Sequence, residues 1–146
     1  NIFKNMLLNL IDNFEISPTA RTVSSVKFLG IENILIGEDT FIGHETLLIG
    51  PNASSINIGS NCDISSRVTI VTGTHQIDLK GKHIAGKGIS KNIIIEDGVW
   101  IGINATILPG VRIGKKSIGA AGSVVRHEIP ENVRVAGNPA IIKKYL

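Results

Sequence analysis

Aromatic side chains make up only 4% of this 146-residue chain, with a single Trp and a single Tyr among them. That scarcity does not suit a sandwich packed around rings, and it leaves Ile, Val and Leu to fill a thin interior. One cysteine excludes an internal disulfide framework. No run approaches the roughly 18 consecutive apolar residues of a membrane span, and no signal-peptide pattern is present. No integral membrane segment and a cytoplasmic location are therefore expected. An excess of one charge is also missing: 15 Lys and Arg against 12 Asp and Glu give a net +3. The basic residues are dispersed without aromatic interleaving, which argues against nucleic acid as a partner. So mild a balance suits a polyanionic small cofactor, or is ordinary surface charge. The length gives one domain with a narrow core.

What the chain has is a repeat. Of positions 36, 42, 48, 58, 64, 70, 95, 101, 107, 113, 119 and 125, eleven are Ile, Leu or Val. A period of six is a multiple of the strand period and fits no amphipathic helix, so it indicates a solenoid of short strands. Gly follows the apolar residue at Gly37, Gly43, Gly59, Gly102 and Gly114. Small or branched residues come four positions after it, as at Thr40, Thr46, Cys62, Val68, Thr74, Val99 and Ala105. Each hexad reads as a strand and a tight corner, and three strands make one triangular turn.

Around this body, residues 2 to 16 place Phe3, Met6, Leu7, Leu10, Ile11 and Phe14 at helical spacing, predicting an amphipathic helix within a segment 1–19. The solenoid is expected over 20–130, with an irregular first coil at 20 to 35 and regular hexads from Ile36. Insertions are expected at Pro51 to Ser55 and, longer, at 76–92, where Gly81, Gly86 and Gly88 suggest flexibility. A loop of that length in a compact repeat is usually functional. Residues 131–146 are expected to close the open sheet edge with a short helix or turn, because an uncapped end would template aggregation.

His75 stands where the long loop leaves the prism. A neutral imidazole there could serve as a general base, or be a surface histidine. Cys62 takes a corner position facing the core, with no His near it in sequence, and reads as a buried structural thiol. His44, His75, His83 and His127 lack the close pair that a zinc-dependent lyase on such a solenoid would need, so no metal is expected.

The segments Ile95 to Gly102 and Leu108 to Gly114 resemble the hexapeptide-repeat acyltransferases. With Thr74-His75, Val99-Trp100-Ile101-Gly102, Ala120 to Val125 and Gly137-Asn138-Pro139-Ala140, the likeness is nearest to maltose and galactoside O-acetyltransferases and those of bacterial surface polysaccharides. It covers about residues 36 to 144. The resemblance implies an all-β left-handed parallel β-helix, an exception to the right-handed crossover rule. It also implies acetyl transfer from acetyl-CoA to a sugar hydroxyl of a surface glycan or its precursor, with His75 as general base. Active sites would lie between subunits of a homotrimer.

Carried over one at a time, Trp100 matches a place along the pantetheine arm, or else packs between subunits. Ala121 matches a backbone contact to CoA, Arg126 and His127 the pair after the last strand, and Lys144 a phosphate-side basic residue. Ile103 and Ile141 depart from the pattern, standing where galactoside enzymes have serine and arginine. Lys115, Lys116 and Lys143 could compensate, or be solvated surface charges. His44 falls near a substrate-binding asparagine. Asp78 could orient the imidazole, bind sugar, or be a surface charge. Alternatives within or beside the fold are N-acetylation of a nucleotide amino sugar or other small acceptor, and a non-catalytic solenoid.

Overall fold

The computed structural model describes Met6, Leu7, Leu10 and residues 14–146. The chain winds in successive three-strand coils. The first is β1 (Phe14–Ile16), β2 (Arg21–Thr22) and β3 (Lys27–Leu29); the second is β4 (Asn33–Ile36), β5 (Phe41–Ile42) and β6 (Leu47–Ile49). The third is β7 (Ser55–Ile58), β8 (Asp63–Ile64) and β9 (Thr69–Val71), after which a ribbon of β10 (Gly73–Ile77) and β11 (Ala85–Ser90) leaves the body. Coils resume with β12 (Ile93–Ile95), β13 (Trp100–Ile101) and β14 (Thr106–Ile107), then β15 (Arg112–Ile113), β16 (Ile118–Gly119) and β17 (Val124–Val125). The chain ends with β18 (Val133–Ala136) and β19 (Ile141–Tyr145).

Stacking gives three parallel sheets. Sheet A runs β1-β4-β7-β12-β15, sheet C runs β17-β14-β9-β6-β3, and sheet B runs from β2 through β5, β8, β13 and β16 to β18, closed by antiparallel β19. Rungs are spaced about 4.8 Å apart. The period-six residues face inward and are sealed: Ile42, Leu48, Ile58, Ile64, Ile70, Ile101 and Ile107 are fully buried. Between them sit buried hydroxyls at the corners; Thr40, Thr46 and Ser117 donate to a carbonyl one coil on, Thr40 Oγ1 to Gly59 O at 2.7 Å, Thr46 Oγ1 to Ser65 O at 2.9 Å and Ser117 Oγ to Pro130 O at 2.7 Å, whereas Ser123 Oγ has no partner among the described residues. A buried hydroxyl without a partner would cost about 1–3 kcal/mol, which these bonds offset for Thr40, Thr46 and Ser117; Cys62, Val68, Val99 and Ala105 hold equivalent corners with no hydroxyl to satisfy. The glycine after the inward residue answers another constraint. A Cβ on Gly102 would stand 2.4 Å from the Ala121 backbone nitrogen of the next coil.

Several expectations change. Phe14–Ile16, expected as the end of the helix, is strand β1, with Phe14 and Ile16 buried beside Ile34 and Ile36. Met6 and Leu7 are helical and exposed; the rest of the expected helix lies outside the described residues. The first coil is regular, because Phe14, Ile16, Ala20 and Val26 fill the inward places of a full coil. Ser55 already belongs to β7. The loop forms an antiparallel ribbon in which Gly81 and Gly86, unlike Gly88, fit close approaches: a Cβ on Gly86 would stand 2.7 Å from that of Asp78. Thr74 lies exposed on this ribbon, while Thr72 takes the buried corner and bonds Ser54 Oγ at 2.7 Å. The final segment is a strand rather than a helix or turn, since its alternating backbone can pair directly with β18. No helix among the described residues is long and apolar enough to cross a membrane.

Candidate active site

The three sheets meet at three edges, and the ribbon leaves the edge between sheets C and A. His75 sits near its base, paired across to Gly88, with its ring exposed. Its Nδ1 lies 2.9 Å from the carbonyl oxygen of Gly86. A carbonyl only accepts, so the proton of the neutral ring is on Nδ1, and the lone pair is on the outward Nε2. That is the arrangement a general base needs: a fixed ring with its basic atom directed away from its tether.

Asp78 does not orient the imidazole. Its Oδ1 accepts from the backbone N–H groups of Lys80 and Gly81, both at 2.9 Å, and so shapes the ribbon's turn. Arg126 and His127 lie on the same edge as the ribbon, two coils on. Arg126 Nε donates to His127 Nε2 at 3.1 Å.

A second group lies on the edge between sheets B and C. His44, Ser66, Ile103 and Ala121 form one column there, tied by Arg67 N to His44 O at 2.8 Å, Asn104 N to Ser66 O at 3.2 Å and Gly122 N to Ile103 O at 2.8 Å. His44 Nδ1 pairs with Ser25 Oγ at 3.3 Å, so one of its nitrogens is already engaged. Ala121 is exposed, and neither its N–H nor its carbonyl has a hydrogen-bond partner among the described residues. Free backbone groups of that kind can pair with an amide-bearing ligand.

Trp100 projects from the outer face of sheet B and remains 52% exposed. Its outward column runs through register partners Arg21, Phe41, Asp63, Trp100, Ile118, Arg134 and Lys144. The character of the column changes at the indole. Toward the first coil stand Asp63 and Phe41, with the Arg21 guanidinium carbon 5.5 Å from the Phe41 ring centroid. Toward the last coil stand the two cations Arg134 and Lys144. Reading the sequence missed Phe41, Asp63 and Arg134, because their shared column exists only once the coils are in register; outward parity in their hexads was the available signal.

The structure therefore gathers His75, Arg126 and His127 on one edge, His44, Ile103 and Ala121 on another, and Trp100 with Lys144 on a face. Other features are set apart from these groups. Cys62 is fully buried, its Sγ 3.1 Å from Glu96 O, and burial pushes its thiol pKa up, away from nucleophilic use. A concavity of about 600 Å³ is formed by the first coil at Pro18 and Arg21 and by Phe41 of the second, and no histidine lines it. Among the described residues no group of three or more His, Cys, Asp or Glu could hold a metal ion.

Comparison with known proteins bears on these groups. Residues 33–71 and 92–126 match the family described as the hexapeptide repeat of succinyl-transferase. A Saccharomyces cerevisiae protein named as an acetyltransferase is 37% identical over 144 residues, which is 98% of this chain and 69% of that one. The galactoside O-acetyltransferase of Lactococcus lactis is 35% identical over 117 residues, covering 79% of this chain and 54% of its own length. This chain thus spans about half to two thirds of these relatives. A hexapeptide-repeat-containing acetyltransferase of Vibrio cholerae superposes with a TM-score of 0.84 at 30% identity, covering 99% of this chain and 80% of that one, and has also been solved complexed with acetyl-CoA. The inward period of six and its parallel coils thus have the same origin as the repeats of these proteins: the chain belongs to the hexapeptide-repeat acetyltransferase family, and its solenoid is that family's left-handed parallel β-helix.

Proposed function

We propose that this protein transfers an acetyl group from acetyl-CoA to a hydroxyl of a sugar in a surface glycan or its precursor, with His75 as general base. The observation that carries this reading is the tether of His75 Nδ1 to Gly86 O, which leaves Nε2 as the basic atom at an exposed ring. In the reaction Nε2 takes the hydroxyl proton as the sugar oxygen bonds to the thioester carbonyl. The carbon–sulfur bond then breaks, and the imidazolium returns the proton to the departing sulfur. The products are an acetyl ester and free CoA. A base so placed contributes about 10²–10⁴ in rate. The same reading sets the reaction in the cytoplasm, where acetyl-CoA is available.

His75 and the group formed by Trp100, Ile103 and Ala121 lie on different edges and faces of one chain. We therefore place the reaction between two copies, one presenting His75 on its ribbon and the other its Trp100 face, in a homotrimer. Leu29, Leu35 and Ile94, each 39–47% exposed on the outer faces of sheets C and A, give cyclic closure apolar area to bury. His44 and Asp78 remain acceptor-side residues in this reading. The test is a screen of mono- and oligosaccharide acceptors with CoA release as readout. Product esters stable to hydroxylamine at neutral pH but cleaved by base support O-transfer; acetylation of amino sugars alone would overturn it.

A further inference from the structure

Ile141 stands where the resemblance implies a phosphate-side arginine, and an aliphatic side chain cannot take that part. The outward column of sheet B supplies a cation that the residue match does not include. Arg134 is the register partner of Ile118, which is itself the partner of Trp100, so Arg134 stands two rungs, about 10 Å, beyond the indole. Lys144 is the direct antiparallel partner of Arg134, and both side chains are exposed.

Residues directly opposed in an antiparallel pair project from the same face with Cβ atoms about 4.5–5.5 Å apart, and like charges so placed destabilise the sheet. No acid relieves this pair: Ile118 flanks Arg134 on the other side, and neither cation takes part in an ion pair among the described residues. Lys115 is a useful contrast. Its corner column sets it between Asp97 and Glu131, as Lys116 N to Asp97 O and Asn132 N to Lys115 O show, so its charge already has acidic neighbours. An anion bound across Arg134 and Lys144 would relieve the repulsion and engage the guanidinium in a two-pronged contact that a lysine alone does not offer.

We infer that Arg134 and Lys144 form a binding site for the phosphates at the nucleotide end of the donor, Arg134 replacing the guanidinium that Ile141 lacks. The site rests on the proposed donor, acetyl-CoA. Its place follows the polarity of the column: indole first, then Ile118, then two cations at the distance of an extended arm.

The test is calorimetric titration of the whole chain with CoA, with dephospho-CoA and with pantetheine, which carries no phosphate. Arg134→Ala is expected to weaken CoA about tenfold, the loss of a charge-assisted hydrogen bond, and to leave pantetheine unchanged. Arg134→Lys is expected to recover part of the loss, and the difference between wild type and Arg134→Ala should shrink at high salt. If dephospho-CoA is spared, the contact is to the 3′-phosphate; if it weakens equally, the contact is to the diphosphate, and either result supports the site. CoA affinity of Arg134→Ala within twofold of wild type would overturn it, as would equal losses for CoA and pantetheine. A wild-type chain that binds CoA with these effects yet transfers no acetyl group overturns the proposed reaction and leaves the phosphate site standing. A wild-type chain that binds no CoA overturns both.

Discussion

At the scale of single residues, two side chains of opposite exposure make separable predictions. His75→Ala should lower turnover by at least about a hundredfold while CoA affinity stays nearly unchanged, because the base acts on the acceptor hydroxyl. Steady-state kinetics beside a CoA titration checks this, and activity within tenfold of wild type would remove the assignment. Cys62 should resist alkylation in the native protein and react once the chain is unfolded. Burial holds its thiol pKa above the ordinary value. The folded state therefore keeps a proton that the unfolded state releases. Stability from this group is complete below about pH 8.5 and falls as pH rises toward the folded-state value, by up to about 1.4 kcal/mol per unit. Urea unfolding at neutral and alkaline pH should show that slope in the wild type and a flatter one in Cys62→Ala.

At the scale of elements, the corners decide what the solenoid tolerates. Gly102→Ala would drive a methyl group into the Ala121 backbone, which cannot move without shifting a coil, and should cost about 1–3 kcal/mol. Gly88→Ala meets nothing within 4 Å and should leave the melting temperature unchanged. Equal melting temperatures for the two variants would show that the coil spacing is looser than described. The hexads from Ile36 were legible in sequence because burial repeats there with one residue type. The first coil was not: Phe14 satisfies helical spacing with Leu10 and Ile11 as well as strand alternation with Ile16, and only the pairing of β1 with Ile34 and Ile36 decides between them. The start of the ribbon was misplaced for a similar reason. Thr72 and Thr74 are chemically alike, and the bond from Thr72 to Ser54 selects which of them is buried. His75 and Trp100 were legible as candidates, whereas Arg134 needed a register that no single hexad encodes.

At the scale of the whole molecule, the proposed reaction requires assembly, because the groups it uses lie on separate edges. Light scattering should give three times the chain mass at micromolar concentration; a monomer would sink the shared site. Trp100 is the chain's one tryptophan, so its fluorescence reports its surroundings directly. If the indole lines the pantetheine channel, CoA should change the emission, and Trp100→Ala should raise the acetyl-CoA Michaelis constant with the trimer intact. Dissociation of the trimer by that substitution, with emission insensitive to CoA, would instead make Trp100 a packing residue.

Because every rung is added at the same spacing, the outer column of sheet B also works as a gauge. The interval between Trp100 and Arg134 is fixed by the number of coils between them, independent of any loop. Excising one whole coil, residues 102–119, would keep the inward pattern of six in phase while drawing the indole and the guanidinium one step closer, about 4.8 Å. Such a variant should favour thioesters on a shorter arm over acetyl-CoA, so that the length of ligand accepted is written in the repeat count rather than in the identity of any side chain.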